Sequence, residues 1–86
     1  MHYESRIMLK WDGFDNAIIG VGERNNTDSM IVYDYDKMVK VLVTRDDMSY
    51  EEAEEYIDFN IIGAWIGDTT PIIVRNKSIE EIEEEN

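Results

Sequence analysis

Asp34 and Asp36 flank Tyr35 in the run Tyr33-Asp34-Tyr35-Asp36-Lys37, and paired carboxylates at this spacing are the first candidates for chemistry. Magnesium needs only one or two carboxylates plus waters. Joined by Asp46, Asp47 or Asp68, the pair could therefore serve a small divalent-metal- or ligand-binding protein. The same residues have structural uses. Asp34 is placed to cap a helix and Asp36 to sit in its first turn, where the helix dipole favours acid. The other three stand where helices end or turns open. No Asp-x-Asp-x-Asp-Gly loop is present, which excludes an EF-hand. His2 is the only histidine, so a histidine metal cluster is impossible. Cysteine is absent, which removes thiolate nucleophiles, disulfides and cysteine-held metals. Ser5, Ser29, Ser49 and Ser78 lack a Gly-x-Ser-x-Gly setting. Gly20-Val21-Gly22 lacks the third glycine of a dinucleotide loop. The inventory points away from an enzyme, and no cofactor is expected.

Charge narrows the partners. The chain of 86 residues carries 20 acidic and 8 basic side chains, a net charge of −12. Nucleic-acid affinity rests on lysine and arginine, so direct DNA or RNA binding is not expected, and anionic membrane surfaces repel the same field. A protein partner with a basic surface is favoured. Residues 76–86, with Lys77 and five glutamates, form an acidic tail. The longest apolar runs fall far short of the roughly 18 residues that span a bilayer. The first residues also lack the basic start and apolar core of a signal peptide. A cytoplasmic, soluble protein is the expectation.

The elements that would position these groups follow from pattern. Residues 1–13 read as an N-terminal arm or edge strand, with Ile7, Leu9 and Trp11 alternating. Residues 14–75 read as one domain and 76–86 as a tail. A strand is expected over 14–23, with Gly20 and Gly22 marking a bulge or a close backbone approach. After a turn over 24–28, a second strand over 30–33 should run antiparallel to the first. Asp34 or Asp36 then caps a helix whose apolar face, with Asp34 as the cap, is Met38, Val41 and Leu42, with Arg45 near its end. Asp46-Asp47 stops it. Ser49 with Glu52 is a capping box opening a helix from about 50 to 59–65, with Gly63 or Gly67 near its end. Ala53, Tyr56, Ile57, Asn60, Ile61 and Ala64 form the inner face of this helix. Glu51, Glu54, Glu55 and Asp58 fall largely on the other. Asp68-Thr69-Thr70-Pro71 turns into a buried strand over 72–74. Ser78 with Glu81 starts a short tail helix with Ile79 and Ile82 inward. The fold class is α+β (β-β-α-α-β): a small sheet of about three strands with two helices on one face and an acidic C-terminal tail. Strand order is left open.

Several of these runs carry a resemblance. Tyr33-Asp34-Tyr35-Asp36-Lys37, Arg45-Asp46, Met48-Ser49-Tyr50-Glu51-Glu52-Ala53, Tyr56, Phe59-Asn60, Gly63-Ala64-Trp65, Gly67 and Thr70-Pro71 occur in that order. Together with Gly22-Glu23-Arg24 they resemble a family of small bacteriophage-associated proteins that has no established activity. The likeness covers roughly residues 14–74. The position after Arg24, often cysteine in that family, is Asn25 here, which removes any thiol role. The resemblance implies a phage accessory protein in a bacterial cytoplasm and transfers no functional residues.

The aromatic side chains are too many for a small core. Tyr33, Phe59 and Trp65 are expected inside, whereas Trp11, Tyr35 and Tyr50 are expected partly exposed and suited to binding. Asn60 is expected to satisfy backbone groups of a neighbouring strand. The function these residues favour is a non-enzymatic protein-binding module. Trp11, Tyr35, Tyr50, Glu51, Glu54, Glu55 and Asp58 would form its acidic face, in its sharpest form a mimic of nucleic acid. The alternatives are a homodimer that buries surplus apolar surface, and the metal- or ligand-binding protein built on Asp34 and Asp36.

Overall fold

The computed structural model describes residues 8–25, 28–62 and 70–85. Among the positions singled out above, His2, Ser5, Ile7, Gly63, Ala64, Trp65, Gly67, Asp68, Thr69 and positions 26–27 of the expected turn lie outside the described residues. Strands β1 (Ile18–Gly22), β2 (Met30–Asp34) and β3 (Ile72–Val74) form one sheet in the order β1-β2-β3. Helices α1 (Tyr35–Arg45) and α2 (Tyr50–Ile57) connect β2 to β3, α2 continues into a π-helical turn at Asp58–Ile62, and α3 (Ile79–Glu85) ends the described chain. This is the expected small α+β fold.

β2 is central because its neighbours use both of its edges. β1 pairs with it antiparallel (Ile18↔Tyr33, Gly20↔Val32, Val21↔Ile31, Gly22↔Met30), and the register slips between Ile18 and Gly20 so that Ile19 is an extra residue. The bulge thus falls where the glycine pattern put it. Strand β1 is shorter than expected at its front, since Asp15–Ala17 is a 3-10 turn. β3 pairs parallel with β2, Ile73 beside Tyr33, a pairing that the long two-helix connection permits.

Alternation along β2 separates the two sheet faces. Tyr33 is fully buried in the main core with Met38, Leu42, Ala53 and Ile57, and Ile18, Ile31 and Ile73 pack against it from the sheet. Helices α1 and α2 therefore share this face. On the opposite face a Cβ at Gly22 would lie 3.1 Å from Val32, 3.3 Å from the Met30 sulfur and 3.6 Å from Ile72, so a larger residue would push those side chains by a few tenths of an ångström. Ile72 and Val74 stay exposed there. The expectation of a fully buried third strand is corrected: only Ile73, the middle residue, turns toward the helices.

Capping closes the helices as their sequences require. The Asp34 carboxylate accepts the Lys37 N–H at 2.9 Å. Ser49 and Glu52 make both bonds of the capping box, 2.9 and 3.1 Å, and Ser78 and Glu81 repeat it, 2.8 and 3.1 Å. α1 stops at Asp47, whose φ of 61° is left-handed, a conformation that aspartate tolerates better than most residues. The buried stripe of α1 is Tyr35, Met38, Val39 and Leu42, with Val41 only flanking it. Arg45 is not part of a core face. It binds Asp46 through two bonds, 2.9 and 3.0 Å, donates to the Gly13 carbonyl at 2.7 Å, and stands 5.6 Å from the Phe14 ring centre. Gly13 has φ +87°, and a Cβ there would meet the Arg45 guanidinium at 2.6 Å. The arginine thus clamps the segment before β1 onto the end of α1. The tail helix keeps Ile79 and Ile82 exposed, contrary to the inward placement expected, because seven residues with two apolar positions give little area to bury.

These assignments fix a stability order. Leu42→Ala empties a fully buried site and should cost about 2–5 kcal/mol, whereas Ser49→Ala removes one exposed cap and should cost about 1 kcal/mol. Urea denaturation of both variants measures the difference, and equal losses would contradict the assigned core.

Candidate functional site on the outer face of the second helix

Helix α2 buries Ala53 and Ile57, and the π-helical turn continues the line with Ile61. Residues four apart stack on one side of a helix, so this i, i+4, i+8 stripe is narrow and leaves the flanks to solvent. One outward ridge reads Tyr50, Glu54, Asp58, Ile62 and the next reads Glu51, Glu55, Phe59. All seven are exposed. Phe59 is 81% accessible and Tyr50 61%. The face is thus a band of four carboxylates bounded by apolar groups at both ends. Successive carboxylates on one ridge rise about 6 Å along the axis.

Three expectations change here. Phe59, expected in the core, projects from it, because it lies two residues from both Ile57 and Ile61 and so on the far side of the helix. Tyr56 and Asn60, expected inside, are exposed for the same reason, since the stripe is too narrow to include them. Asn60 consequently has no inner strand to satisfy. Tyr35, expected to be exposed for binding, is 5% accessible. It occupies the first position of α1, three and four residues before Met38 and Val39, and so faces the core with them.

Trp11 belongs mainly to the structure. Its ring centre lies 5.0 Å from that of Tyr33, and its backbone N–H donates to the Tyr33 hydroxyl at 2.9 Å. The half-buried indole packs on the core. This fastens the arm to β2 rather than leaving it as an edge strand.

Arg75, which the sequence pattern did not single out, organises one side of the site. Its guanidinium stacks over the Tyr35 ring, 3.7 Å from the centre, and donates to Asp58 at 3.2 Å. Cation, aromatic face and carboxylate form a stack. It joins the end of β3 to the start of α1 and the end of α2. Asp58 is therefore held by an internal partner, whereas Glu51, Glu54 and Glu55 remain the outward charges of the face. Alternation past β3 was the available signal: Ile73 faces inward, and Arg75 follows it by two.

Among the described residues no group of three or more His, Cys, Asp or Glu side chains converges to hold a metal ion. Asp34 is engaged as a cap, and Asp36 is exposed in the first turn. No helix among the described residues is long and apolar enough to cross a membrane. Neither family models, curated proteins nor solved structures yield a match to this chain, so the likeness to phage-associated proteins rests on the quoted motifs alone.

The tyrosines provide a check on this geometry. Burial pushes the Tyr33 phenol above its ordinary value, with the Trp11 N–H opposing, and burial with the nearby Asp58 charge pushes Tyr35 upward against the pull of Arg75. A phenol pKa that is higher when folded adds stability that is complete below the unfolded value of 10.0 and is lost as pH rises through the folded one. Phenolate absorbance should therefore show a late component above pH 10, reduced in Tyr35→Phe and in Tyr33→Phe. Simultaneous ionisation of all tyrosines near pH 10 in a still-folded chain would contradict the burial of both rings.

Proposed function

We propose that this chain is a non-enzymatic binding module that engages a basic protein surface through the outer face of α2. The observation that carries the reading is Phe59, a phenylalanine held almost entirely in water on a helix otherwise lined with carboxylates. Leaving such a ring exposed forgoes about 1.5–3 kcal/mol of burial, and aromatic anchors at the centre with polar groups at the rim are what protein interfaces use. Glu51, Glu54 and Glu55 would steer and orient a cationic partner, while Phe59, Tyr50 and Ile62 supply the apolar contact. In the sharper form of the proposal the carboxylates stand in for phosphates and occupy the nucleic-acid-binding surface of the partner. The implied setting is a phage accessory protein in a bacterial cytoplasm.

A different observation favours homodimerisation as the second reading. Ile72 and Val74 expose apolar area on the sheet face opposite the helices, and two such faces could pack together. The net charge of −12 on each copy opposes that pairing and should make it salt-dependent in the opposite sense, stronger at high salt.

The two readings separate experimentally. Affinity capture from bacterial lysate, read by mass spectrometry at low and high salt, should retain a basic protein at low salt. A Glu51→Gln, Glu54→Gln, Glu55→Gln triple variant should lose it at low salt, and so should Phe59→Ala. Asp58 is left intact in that triple because its removal would also release Arg75. Adding Asp58→Asn completes the neutralisation of the face, and undiminished capture by that quadruple variant would sink the proposal. Light scattering at high salt tests the dimer, which a monomeric mass at high concentration would rule out.

A further inference from the structure

Beneath the end of β3 lies a cavity of about 470 Å³, within the roughly 300–1,000 Å³ range of small-molecule sites. Its apolar wall is Trp11, Ile61, Ile62, Pro71 and Ile73, and its charged lining is Arg75 and Lys77. The strand explains the arrangement. Ile73, Arg75 and Lys77 alternate along the chain, so an extended backbone that turns Ile73 toward the helices carries the next two side chains to the same side. The π-helical turn supplies the opposite wall, where two consecutive residues, Ile61 and Ile62, both line the space. π-Turns of this kind often occur at functional sites.

The charge of this cavity runs against that of the molecule. The chain has 20 acidic and 8 basic side chains, yet among the described residues the two charged groups lining the cavity are both cations. Each cation already carries a carboxylate of this chain: Asp58 bonds Arg75 at 3.2 Å, and Glu85 of α3 bonds Lys77. The site thus offers an apolar body of space ending in two positive groups that donate N–H bonds to carboxylate oxygens.

We infer that this cavity binds a small apolar monoanion, a carboxylate on an unbranched hydrocarbon body, with the chain in the apolar wall and the carboxylate at Arg75 and Lys77. The ligand carboxylate takes the place that Glu85 holds on Lys77. Selectivity for the anion has to be local, because the field of the whole chain repels negative ligands. Arg75 and Lys77 supply that local preference beside an apolar wall. Ile62 is shared with the outer face of α2, but decanoate binding and partner capture are measured separately, so either can fail without the other.

The test uses the full chain, with sodium decanoate as the probe. Calorimetry and tryptophan fluorescence should show saturable binding of one decanoate. Decanol, of matching chain length and no charge, should bind at least about fivefold more weakly, the scale of a half-exposed charge contact. Lys77→Gln lies on the surface and should fold normally; it should weaken decanoate about fivefold and leave decanol unchanged. Glu85→Gln should tighten decanoate by releasing Lys77. Inorganic phosphate should compete poorly, since it has no body for the apolar wall. Equal affinity for decanol and decanoate, equal competition by phosphate, or no saturable binding would each overturn the assignment. So would decanoate binding unaffected by Lys77→Gln.

Discussion

Tyr33 is the residue that most of this structure leans on. It stands in the central strand with Ile18 paired on one side and Ile73 on the other. Its ring is fully buried beneath α1 and α2, and its hydroxyl accepts the backbone N–H of Trp11. A single side chain thereby ties three strands, two helices and the N-terminal arm to one core. A small domain hides only about 60% of its surface, so a few such residues must carry most of the packing. Asp34 follows directly and opens α1 as its cap. The transition from sheet to helix is therefore set by two adjacent residues, one chosen for burial and the other for hydrogen bonding.

A core built this way is small, and its size decides what reaches the surface. Helix α2 contacts it through a one-residue-wide line, Ala53, Ile57 and Ile61. A wider contact would have taken in Tyr56 and Phe59. The same shortage leaves Ile72 and Val74 bare on the second sheet face and Ile79 and Ile82 bare on the tail. The exposed apolar groups have a common cause, so they do not all mark binding sites. Phe59 differs from the others by its setting: it is the most exposed of them, at 81%, and it lies amid charges that a partner could use.

Much of this was legible in the chain. Short-range chemistry was read correctly: the Asp34 cap, both capping boxes, the glycine-marked bulge, the antiparallel first pair and the strand after Pro71 each depend on a few adjacent residues. The misreadings concern which side of an element faces inward. In α1 two apolar lines were available, Met38-Val41-Leu42 ending on Arg45, and Tyr35-Met38-Val39-Leu42. Burial of a guanidinium is costly, and that alone should have selected the second. In α2 the spacing of Ala53, Ile57 and Ile61 already placed Phe59 opposite them, but its size suggested core. The role of Arg75 was least legible, because a cation stacked on Tyr35 joins residues 40 apart in sequence, and nothing local marks the partnership.

Arg75 also connects the two surfaces to which functions are assigned. Its guanidinium lines the cavity, stacks on Tyr35 and bonds Asp58, which sits on the outward ridge of α2. In the proposed complex a carboxylate at Arg75 would share the guanidinium with Asp58, which that guanidinium now bonds. As Asp58 is released, its charge is less neutralised and the α2 face becomes more negative. The attraction of that face for a cationic partner then rises. Reciprocity requires the converse: a basic partner that draws Asp58 away frees donors for the ligand. The coupling is limited to what one half-exposed ion pair can transmit, about 1 kcal/mol or less. It would bias the two events toward occurring together without making either depend on the other.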